Sequence, residues 1–375
     1  MHILHITEAS AAGTLQVVRT LATAQAARGH TVTLAYADRP ESPADLPQIA
    51  AAGVEPVALR WARRSPLSHV AAGRTLRRIV RERKPDLVHL HSSFAGAVGT
   101  LALPRGTVRI YTPHGVGSAR AGVARPVSAG VRALESLVAR RCALVGAVSE
   151  AEAEVARRVL HAPRVVVVRN GIPELDEAPQ RVGTGSEPVV LAMGRITAAR
   201  RPAATARILA ALAPSARVGW VGAADDGAEA AVREAGVPVT GWLPREQALE
   251  RLAEATVYVH WSEWDGQSLA ILEAIARDVV VVASDIPANR EVVGPRQVCA
   301  DESAAIALAQ AVLGDASLRA ELLEEQRRRA PAFSARRMAA EWLATYQRTL
   351  SANVHGWVQP TTAPLVAPKI GDPWT

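Results

Sequence analysis

The sequence contains little cysteine, few aromatic residues and no long apolar run. Cys142 and Cys299 are its two cysteines, too few for a disulfide framework or a four-ligand zinc site. Aromatic residues make up 4% of the chain, which argues against a stacking surface for single-stranded nucleic acid. No run of 18 apolar residues occurs, and the first residues lack the basic start of a signal peptide. We therefore expect a cytoplasmic protein.

The chain is basic, and nearly all of its positive charge is arginine. Its 43 basic residues include only two lysines, Lys84 and Lys369, and exceed 36 acidic residues to give a net charge of +7. This preference for arginine, together with abundant alanine, indicates a bias in the composition of the genome and not a function. Only local clusters of basic residues therefore carry functional information. Residues 60–84 hold nine cations against one acid, Glu82. This segment predicts peripheral association with an anionic membrane, the alternative being a solvated helix face.

Short β-branched runs alternate with helical stretches along the first half of the chain, which predicts a parallel sheet with right-handed crossovers. The expected strands are 2–6, 31–36, 54–59, 86–90, 108–112, 143–148 and 164–168. The expected helices are 14–28, 66–83, 126–141 and 149–160.

Residues 173–188 lack an apolar period and are rich in proline, glycine and acidic residues, which is typical of a linker. The alternation then resumes. The expected strands are 189–193, 217–221, 237–240, 256–260 and 279–283, and the expected helices are 202–212, 227–235, 245–254, 267–277, 302–330 and 335–351. The sequence thus predicts two α/β domains of similar size joined by this linker, with a loosely ordered tail from about 352.

Ligands of open parallel sheets bind beyond the carboxyl ends of the strands, so the loops there are candidate sites. Gly13 and Thr14 open the first helix in a small-residue turn that admits a phosphate or sugar, or that simply allows tight packing. The turn lacks the GxGxxG pattern, which disfavours a nicotinamide enzyme. His114 follows a strand between Pro113 and Gly115 and is expected to point into the cleft. We expect a structural role for His89 and leave that of His91 open.

The second half carries the candidate anion site. Arg195 and Arg200 lie just after a strand and can bind a diphosphate, whereas we expect Arg201 to face solvent. Glu273 lies among apolar residues, so its carboxylate needs a partner, either a ribose diol or an arginine. The backbone amides of Gly266, Gln267, Ser268 and Leu269 are candidates for holding the phosphate.

At these loops the chain resembles the GT-B glycosyltransferases, specifically glycosyltransferase family 4, over residues 1–350. Asp265-x7-Glu273 resembles the family's Glu-x7-Glu motif. The other matching elements are the first small-residue loop, Pro113-His114-Gly115, Val148-Ser149-Glu150, Arg169-Asn170-Gly171-Ile172, and Gly194-Arg195 with a cation five positions later.

The resemblance implies a fold in which two Rossmann-like domains face each other across a cleft. The domains expected are 1–172 together with about 335–375, whose helix returns to the N-terminal domain, and 189–334, with a linker at 173–188. The first domain would bind the acceptor and the second a nucleotide-sugar donor.

The resemblance also implies roles for single residues. On the donor side, Arg195 and Arg200 would neutralise the diphosphate, Glu273 would bind the ribose and Asp265 the transferred sugar. Contacts are further expected from Gly13, Thr14, Gly194, Gly266, Gln267, Ser268 and Leu269. On the acceptor side the expected residues are Thr14, His91, His114 and Ser149.

Family members transfer with retention of anomeric configuration and without a metal, and no Asp-x-Asp motif occurs in this sequence. We therefore expect no metal and no cofactor. The expected donor is a UDP-sugar, with a GDP-sugar second. The acceptor would be a glycan, a lipid-linked glycan or a small molecule, in polysaccharide, glycoconjugate or secondary-metabolite glycoside synthesis.

Four features depart from the family pattern, one being that the helix after Glu273 ends in Arg277-Asp278 where glycine is usual. Ala12-Gly13 stands where a Gly-Gly pair is usual, Arg200 where lysine is common, and Asp265 replaces a glutamate that is one methylene longer. Two alternatives stay open at this level. A nucleotide-sugar epimerase or another GT-B activity needs the same loops without an acceptor pocket, and a nucleic-acid-binding protein needs basic residues along one face.

Overall fold

The computed structural model describes residues 1–9, 12–39, 42, 46–62, 65–116, 125–173, 187–224 and 227–355. Most of the predicted linker and the tail beyond residue 355 lie outside these ranges. Among the described residues, no helix combines the length and apolar character needed to cross a membrane.

The first half forms a seven-stranded parallel sheet in the order β3-β2-β1-β4-β5-β6-β7. Because β1 pairs with both β2 and β4, the crossovers diverge on its two sides and leave a crevice at its carboxyl end. The strands are β1 (His2–Thr7), β2 (Thr31–Ala37), β3 (Val54–Leu59), β4 (Leu87–His91), β5 (Arg109–Thr112), β6 (Leu144–Ala147) and β7 (Val165–Val167). The helices are α1 (Ala12–Ala26), α2 (Pro66–Arg83), α3 (Ser93–Ala102), α4 (Arg125–Arg141) and α5 (Glu150–Arg158).

Helix α3 is absent from the expected elements because its glycines weaken the helical pattern. Those glycines serve packing. A Cβ at Gly99 would lie 2.5 Å from Leu90 Cδ2, and one at Gly96 would lie 2.7 Å from Tyr111 Cε2. Only glycine lets α3 approach the sheet this closely, so a feature that lowers helix propensity is what allows the helix to pack.

The second half forms a five-stranded parallel sheet in the order β12-β11-β10-β8-β9. Its strands are β8 (Val189–Met193), β9 (Arg217–Val221), β10 (Val257–His260), β11 (Val280–Ser284) and β12 (Val298–Cys299). The helices are α6 (Pro202–Leu212), α7 (Ala230–Glu234), α8 (Arg245–Ala253), α9 (Leu269–Ile275), α10 (Pro287–Val293), α11 (Glu302–Gly314) and α12 (Ala316–Arg329). The two sheets confirm the predicted α/β class, and the domain boundaries at 172 and 189 stay a prediction.

Two expected elements of this half were wrong. Within residues 237–240, Val239 forms one isolated bridge with Trp220 rather than part of a strand, because Pro238 has no N–H to donate and Gly241 has a φ of +77°. The helix expected over 302–330 is two helices. It breaks after Gly314, and Asp315 caps α12 by accepting hydrogen bonds from the amides of Ser317 and Leu318. Helix α10 and the short strand β12 were not anticipated.

The last described helix, α13 (Ala335–His355), returns to the first sheet. A Cβ at Gly146 would lie 2.1 Å from Trp342 Cη2, so glycine on β6 makes room for this indole. The Tyr346 hydroxyl lies 2.6 Å from His89 Nδ1. These contacts confirm the expected return of the C-terminal helix.

Candidate active site

Loops from the two halves meet where the strands of both sheets end. A Cβ at Gly115 would lie 2.9 Å from Trp264 Cζ3, and a Cβ at Gly266 would lie 3.2 Å from the Gly115 nitrogen. These glycines bring the loop after β5 against the loop after β10. The structure therefore brings the neighbourhoods of His114 and Asp265 together, although 151 residues separate them in the sequence.

His114 occupies a constrained position at this contact. Its φ is +52°, a left-handed conformation that a histidine adopts at some cost, and its Nε2 lies 3.0 Å from His91 Nδ1. Burial lowers the pKa of His114 to about 3. The side chain is therefore a neutral hydrogen-bonding group at physiological pH, not a cation.

Arg200 lies opposite, in a polar cluster at the carboxyl end of the second sheet. Its Nη1 is 2.9 Å from Ser262 Oγ and 3.3 Å from Asp265 Oδ2, and it also contacts the His260 imidazole. Burial opposes ionisation of Asp265, but Arg200 and His260 outweigh it and lower the pKa of the carboxyl. Burial, reinforced by Arg200, lowers the pKa of His260 to about 4. An ionised Asp265 thus pairs with Arg200 beside a neutral His260.

Arg195 lies beside an aromatic side chain that the sequence reasoning missed. Its guanidinium carbon is 5.4 Å from the ring centroid of Trp242, a cation–π arrangement. Trp242 is 55% exposed, which is unusual for tryptophan. The available signal was a tryptophan directly after Gly241, next to the second sheet. Gly194 precedes Arg195 with a φ of +111°, a backbone conformation that favours glycine.

Glu273 is buried on α9 and accepts a hydrogen bond from Arg245 Nη2 at 2.5 Å. An arginine partner was one of the two alternatives that the sequence left open. Arg245 belongs to α8 and its side chain is 40% exposed, so the pair lies at the edge of the core. The ribose role of Glu273 stays a prediction.

The first loop and the start of α9 face each other across the cleft. A Cβ at Gly13 would lie 3.8 Å from Leu269 Cδ1, and Thr14 follows in the first turn of α1. Ser268 precedes α9, but its hydroxyl makes no capping hydrogen bond and, among the described residues, is buried with no partner. The phosphate contacts expected from these residues stay predictions.

Two family models together match most of the chain. The model for Glycosyltransferase Family 4 matches residues 11–174, and the model for Glycosyl transferases group 1 matches residues 187–314. The chain belongs to the GT-B glycosyltransferases. The resemblance inferred from the loop motifs is thereby confirmed, and the protein is a transferase.

Solved structures share the fold of this glycosyltransferase over nearly its whole length. Sucrose-phosphate synthase from Thermosynechococcus elongatus is 20% identical with a TM-score of 0.80, over 94% of this chain and 99% of that one. HepE from Anabaena, in complex with UDP and glucose, is 15% identical with a TM-score of 0.74, over 92% and 99%. WaaG, involved in lipopolysaccharide biosynthesis, is 13% identical with a TM-score of 0.69, over 92% and 99%. A comparison with curated protein sequences finds no match.

The glycosyltransferase holds its His114 loop with a buried carboxylate that the sequence reasoning also missed. Glu152 accepts hydrogen bonds from the Gly115 amide at 2.5 Å and the Val148 amide at 2.8 Å. Ser149 caps α5 by accepting from the Glu152 amide at 3.1 Å. The available signal was the capping-box pattern Ser149-x-x-Glu152 after a strand.

Two predicted contact residues of the transferase make hydrogen bonds within the protein. Ser149 uses its hydroxyl as the helix cap, and Gln267 Oε1 accepts from the Asn170 amide at 2.6 Å. The second bond joins the segment just before the predicted linker to the start of α9. A direct contact of either side chain with substrate stays a prediction.

Burial raises the pKa of Glu152 to about 7, from an ordinary value of 4.5. The folded protein therefore binds more protons than the unfolded chain between these pH values, and this stabilising contribution is lost as the pH rises through them. Glutamine does not titrate, so we expect the free energy of unfolding of Glu152→Gln to rise relative to that of the wild type as the pH increases from 4.5 to 7. The expected change is at most about 3 kcal/mol. Urea unfolding at pH 4.5, 6 and 8 measures the difference. Glu154→Gln, on the same helix with a 46% exposed side chain, is the matched control, and an equal trend in both variants contradicts the prediction.

Proposed function

We propose that this glycosyltransferase moves a sugar from a UDP-sugar to an acceptor hydroxyl, with retention of anomeric configuration. The observation that supports this most is the Arg200–Asp265 cluster lying in the loops that face His114. Structures of HepE contain UDP with glucose and UDP-glucose, which supports a uridine nucleotide here. A GDP-sugar is the second candidate.

The chemistry assigns a role to each charged group. Breaking the bond from the anomeric carbon to the diphosphate leaves negative charge on the departing phosphate. Arg200 and Arg195 would stabilise that charge, Arg200 by exchanging part of its contact with Asp265 for the phosphate. Asp265 would then accept hydrogen bonds from sugar hydroxyls, and Glu273 from the ribose. His114 would contact the sugar from the other half as a neutral group.

A thermal-shift screen of nucleoside diphosphates tests the donor. A ligand present at 100 times its Kd stabilises the folded protein by about 2.7 kcal/mol, so UDP should raise Tm measurably and GDP less. Incubation with a UDP-sugar alone then separates transfer from epimerisation, because only an epimerase returns a changed nucleotide sugar. Retention of DNA or RNA that weakens steeply with salt would favour the nucleic-acid alternative.

We expect transfer to survive exhaustive chelation. Arginines supply the positive charge that a divalent cation would otherwise provide at the diphosphate. The measurement is the initial rate before and after treatment with EDTA, followed by gel filtration. An inactive chelated sample that Mg²⁺ or Mn²⁺ alone restores would contradict metal independence.

We also propose a lipid-linked glycan as acceptor, with the enzyme held at an anionic membrane through residues 60–84. Helix α2 exposes Arg74, Arg77, Arg78 and Arg81, and near its start Leu67 is 83% and Val70 51% exposed. Trp61, which lies in the same segment, is buried at 1% exposure because its indole packs in the core and donates a hydrogen bond to His69. Arg63 and Arg64 lie outside the described residues. A soluble glycan or a small-molecule acceptor is the alternative.

We expect the protein to float with vesicles that contain an anionic lipid at low salt. Each arginine near such a surface contributes about 1 kcal/mol, so neutralising Arg74, Arg77, Arg78 and Arg81 together should abolish binding. Replacing the exposed arginines of α12, Arg327 and Arg328, with glutamine is the control for lost charge on another face. Absence of wild-type binding would refute the membrane proposal without touching the transfer reaction.

A further inference from the structure

Behind His114, a continuous line of hydrogen bonds runs into the core of the first sheet. Gln25 Oε1 lies 2.8 Å from His5 Nε2, His5 Nδ1 lies 3.0 Å from His91 Nε2, and His91 Nδ1 lies 3.0 Å from His114 Nε2. We call Gln25, His5, His91 and His114 the histidine relay. It links α1, two adjacent strands and the loop after β5.

The relay is built into the rigid centre of the fold. His5 lies on β1 and His91 at the end of β4, which pair in parallel, and Gln25 comes from the last turn of α1. His5 and Gln25 are fully buried, and His91 is 1% exposed. A buried polar atom without a partner is costly, and both ring nitrogens of His5 and of His91 have partners within the relay. Gln25 Nε2 has no partner among the described residues.

All three imidazoles of the relay are neutral. Burial lowers the pKa of His5 to about 4 and that of His114 to about 3, and burial with nearby histidines lowers the pKa of His91 well below its ordinary value. A neutral imidazole carries one N–H, so each link needs one donor and one acceptor. The three tautomers are therefore coupled. Gln25 Oε1 can only accept, so His5 donates from Nε2 and accepts at Nδ1, and the same direction continues through His91 to His114. The proton therefore lies on Nε2 of each ring, which leaves His114 Nδ1 unprotonated.

A chelating cluster is the competing interpretation, because nitrogens of His5, His89 and His91 lie within 4.8 Å of one another. The geometry disfavours it. The ring centroids of His89 and His91 lie 3.9 Å apart with their planes tilted by 34°, and both nitrogens of His5 and of His91 already have relay partners within 3.0 Å. His89 also has a partner at each nitrogen, Tyr346 at 2.6 Å and Thr112 at 2.8 Å. This agrees with the structural role expected for His89.

We propose that Gln25, His5 and His91 are positioning residues that hold the His114 ring in place and fix its Nε2–H tautomer. His114 Nδ1 is then a hydrogen-bond acceptor for a hydroxyl in the cleft. That the hydroxyl belongs to a sugar rests on the proposed function, whereas the tautomer assignment does not.

Imidazole ¹⁵N spectra of the histidine-labelled full chain test the tautomer directly, with His114 assigned by its loss in His114→Asn. We expect the wild-type His114 to show one tautomer, protonated at Nε2. His91→Phe and Gln25→Met each interrupt the relay and should turn this signal into a tautomer mixture. His91→Asn keeps a polar atom near the Nδ1 position and should restore a single form. His161→Asn, at an exposed position with a φ of +50°, is the control.

An unchanged His114 spectrum in both His91→Phe and Gln25→Met overturns the proposal. If His91→Phe fails to fold, Gln25→Met alone decides, since Gln25 lies three hydrogen bonds from His114. In transfer assays the interrupting variants should lose about 10- to 100-fold in kcat with little change in donor KM, as when a partner that orients a histidine is removed. If even the wild type transfers no sugar, the proposed function fails while the spectra still decide the relay.

Discussion

Arg200→Ala is expected to lower the kcat of sugar transfer by about 10²–10³-fold, since one lost donor to a developing charge costs about 3–4 kcal/mol. Arg200 Nη1 lies 3.3 Å from Asp265 and 2.9 Å from Ser262, so its guanidinium is held in place, as the proposed contact with the leaving phosphate requires. Arg195→Ala should also lose activity, and additionally weaken nucleotide binding through its contact with Trp242. Initial rates at saturating donor, with circular dichroism to verify folding, measure both effects.

The matched control for Arg200 is its neighbour Arg201, which is exposed and has a φ of +44°. Arg201→Asn removes the same charge and keeps a residue that tolerates this backbone conformation. We expect it to retain near wild-type turnover. Near-normal turnover by a folded Arg200→Ala protein would remove Arg200 from the diphosphate site.

Glu273→Gln is expected to raise the KM for the donor about 10- to 100-fold, because hydrogen bonds to a charged carboxylate contribute about 1.5–3 kcal/mol. The alternative is that Glu273 serves only to pair with Arg245, its partner at 2.5 Å. Arg245→Met separates the two roles, since it removes the pair and leaves the carboxylate. We expect Arg245→Met to lower stability and to change the donor KM much less than Glu273→Gln does.

Isothermal titration with UDP and with uracil provides the decisive comparison for Glu273. A ribose contact predicts that Glu273→Gln weakens UDP binding and leaves uracil binding unchanged. Equal loss of UDP affinity in Glu273→Gln and Arg245→Met, with equal loss of stability, would indicate that the pair acts structurally.

The candidate binding loops at strand ends could be predicted from the sequence, because parallel strands place the loops that follow them at one edge of the sheet. The β-branched runs of β1 and β8 and the position of His114 between Pro113 and Gly115 are local signals of this kind. Predictions from local sequence were wrong where tertiary packing or a missing backbone N–H decided the structure. The glycines of α3 look like helix breakers but admit Leu90 and Tyr111, and Pro238 limits residues 237–240 to an isolated bridge with Trp220.

By itself the sequence determined the α/β class and the family, since periodicity and short motifs depend on neighbours along the chain. Only the tertiary structure decided the partners: Glu273 with Arg245, Arg200 with Asp265, and Glu152 beneath the His114 loop. The histidine relay shows the reason most clearly. Its four members lie up to 109 residues apart in the sequence, and tertiary packing alone brings the hydrogen-bonding atoms of neighbouring members within 3.0 Å of each other.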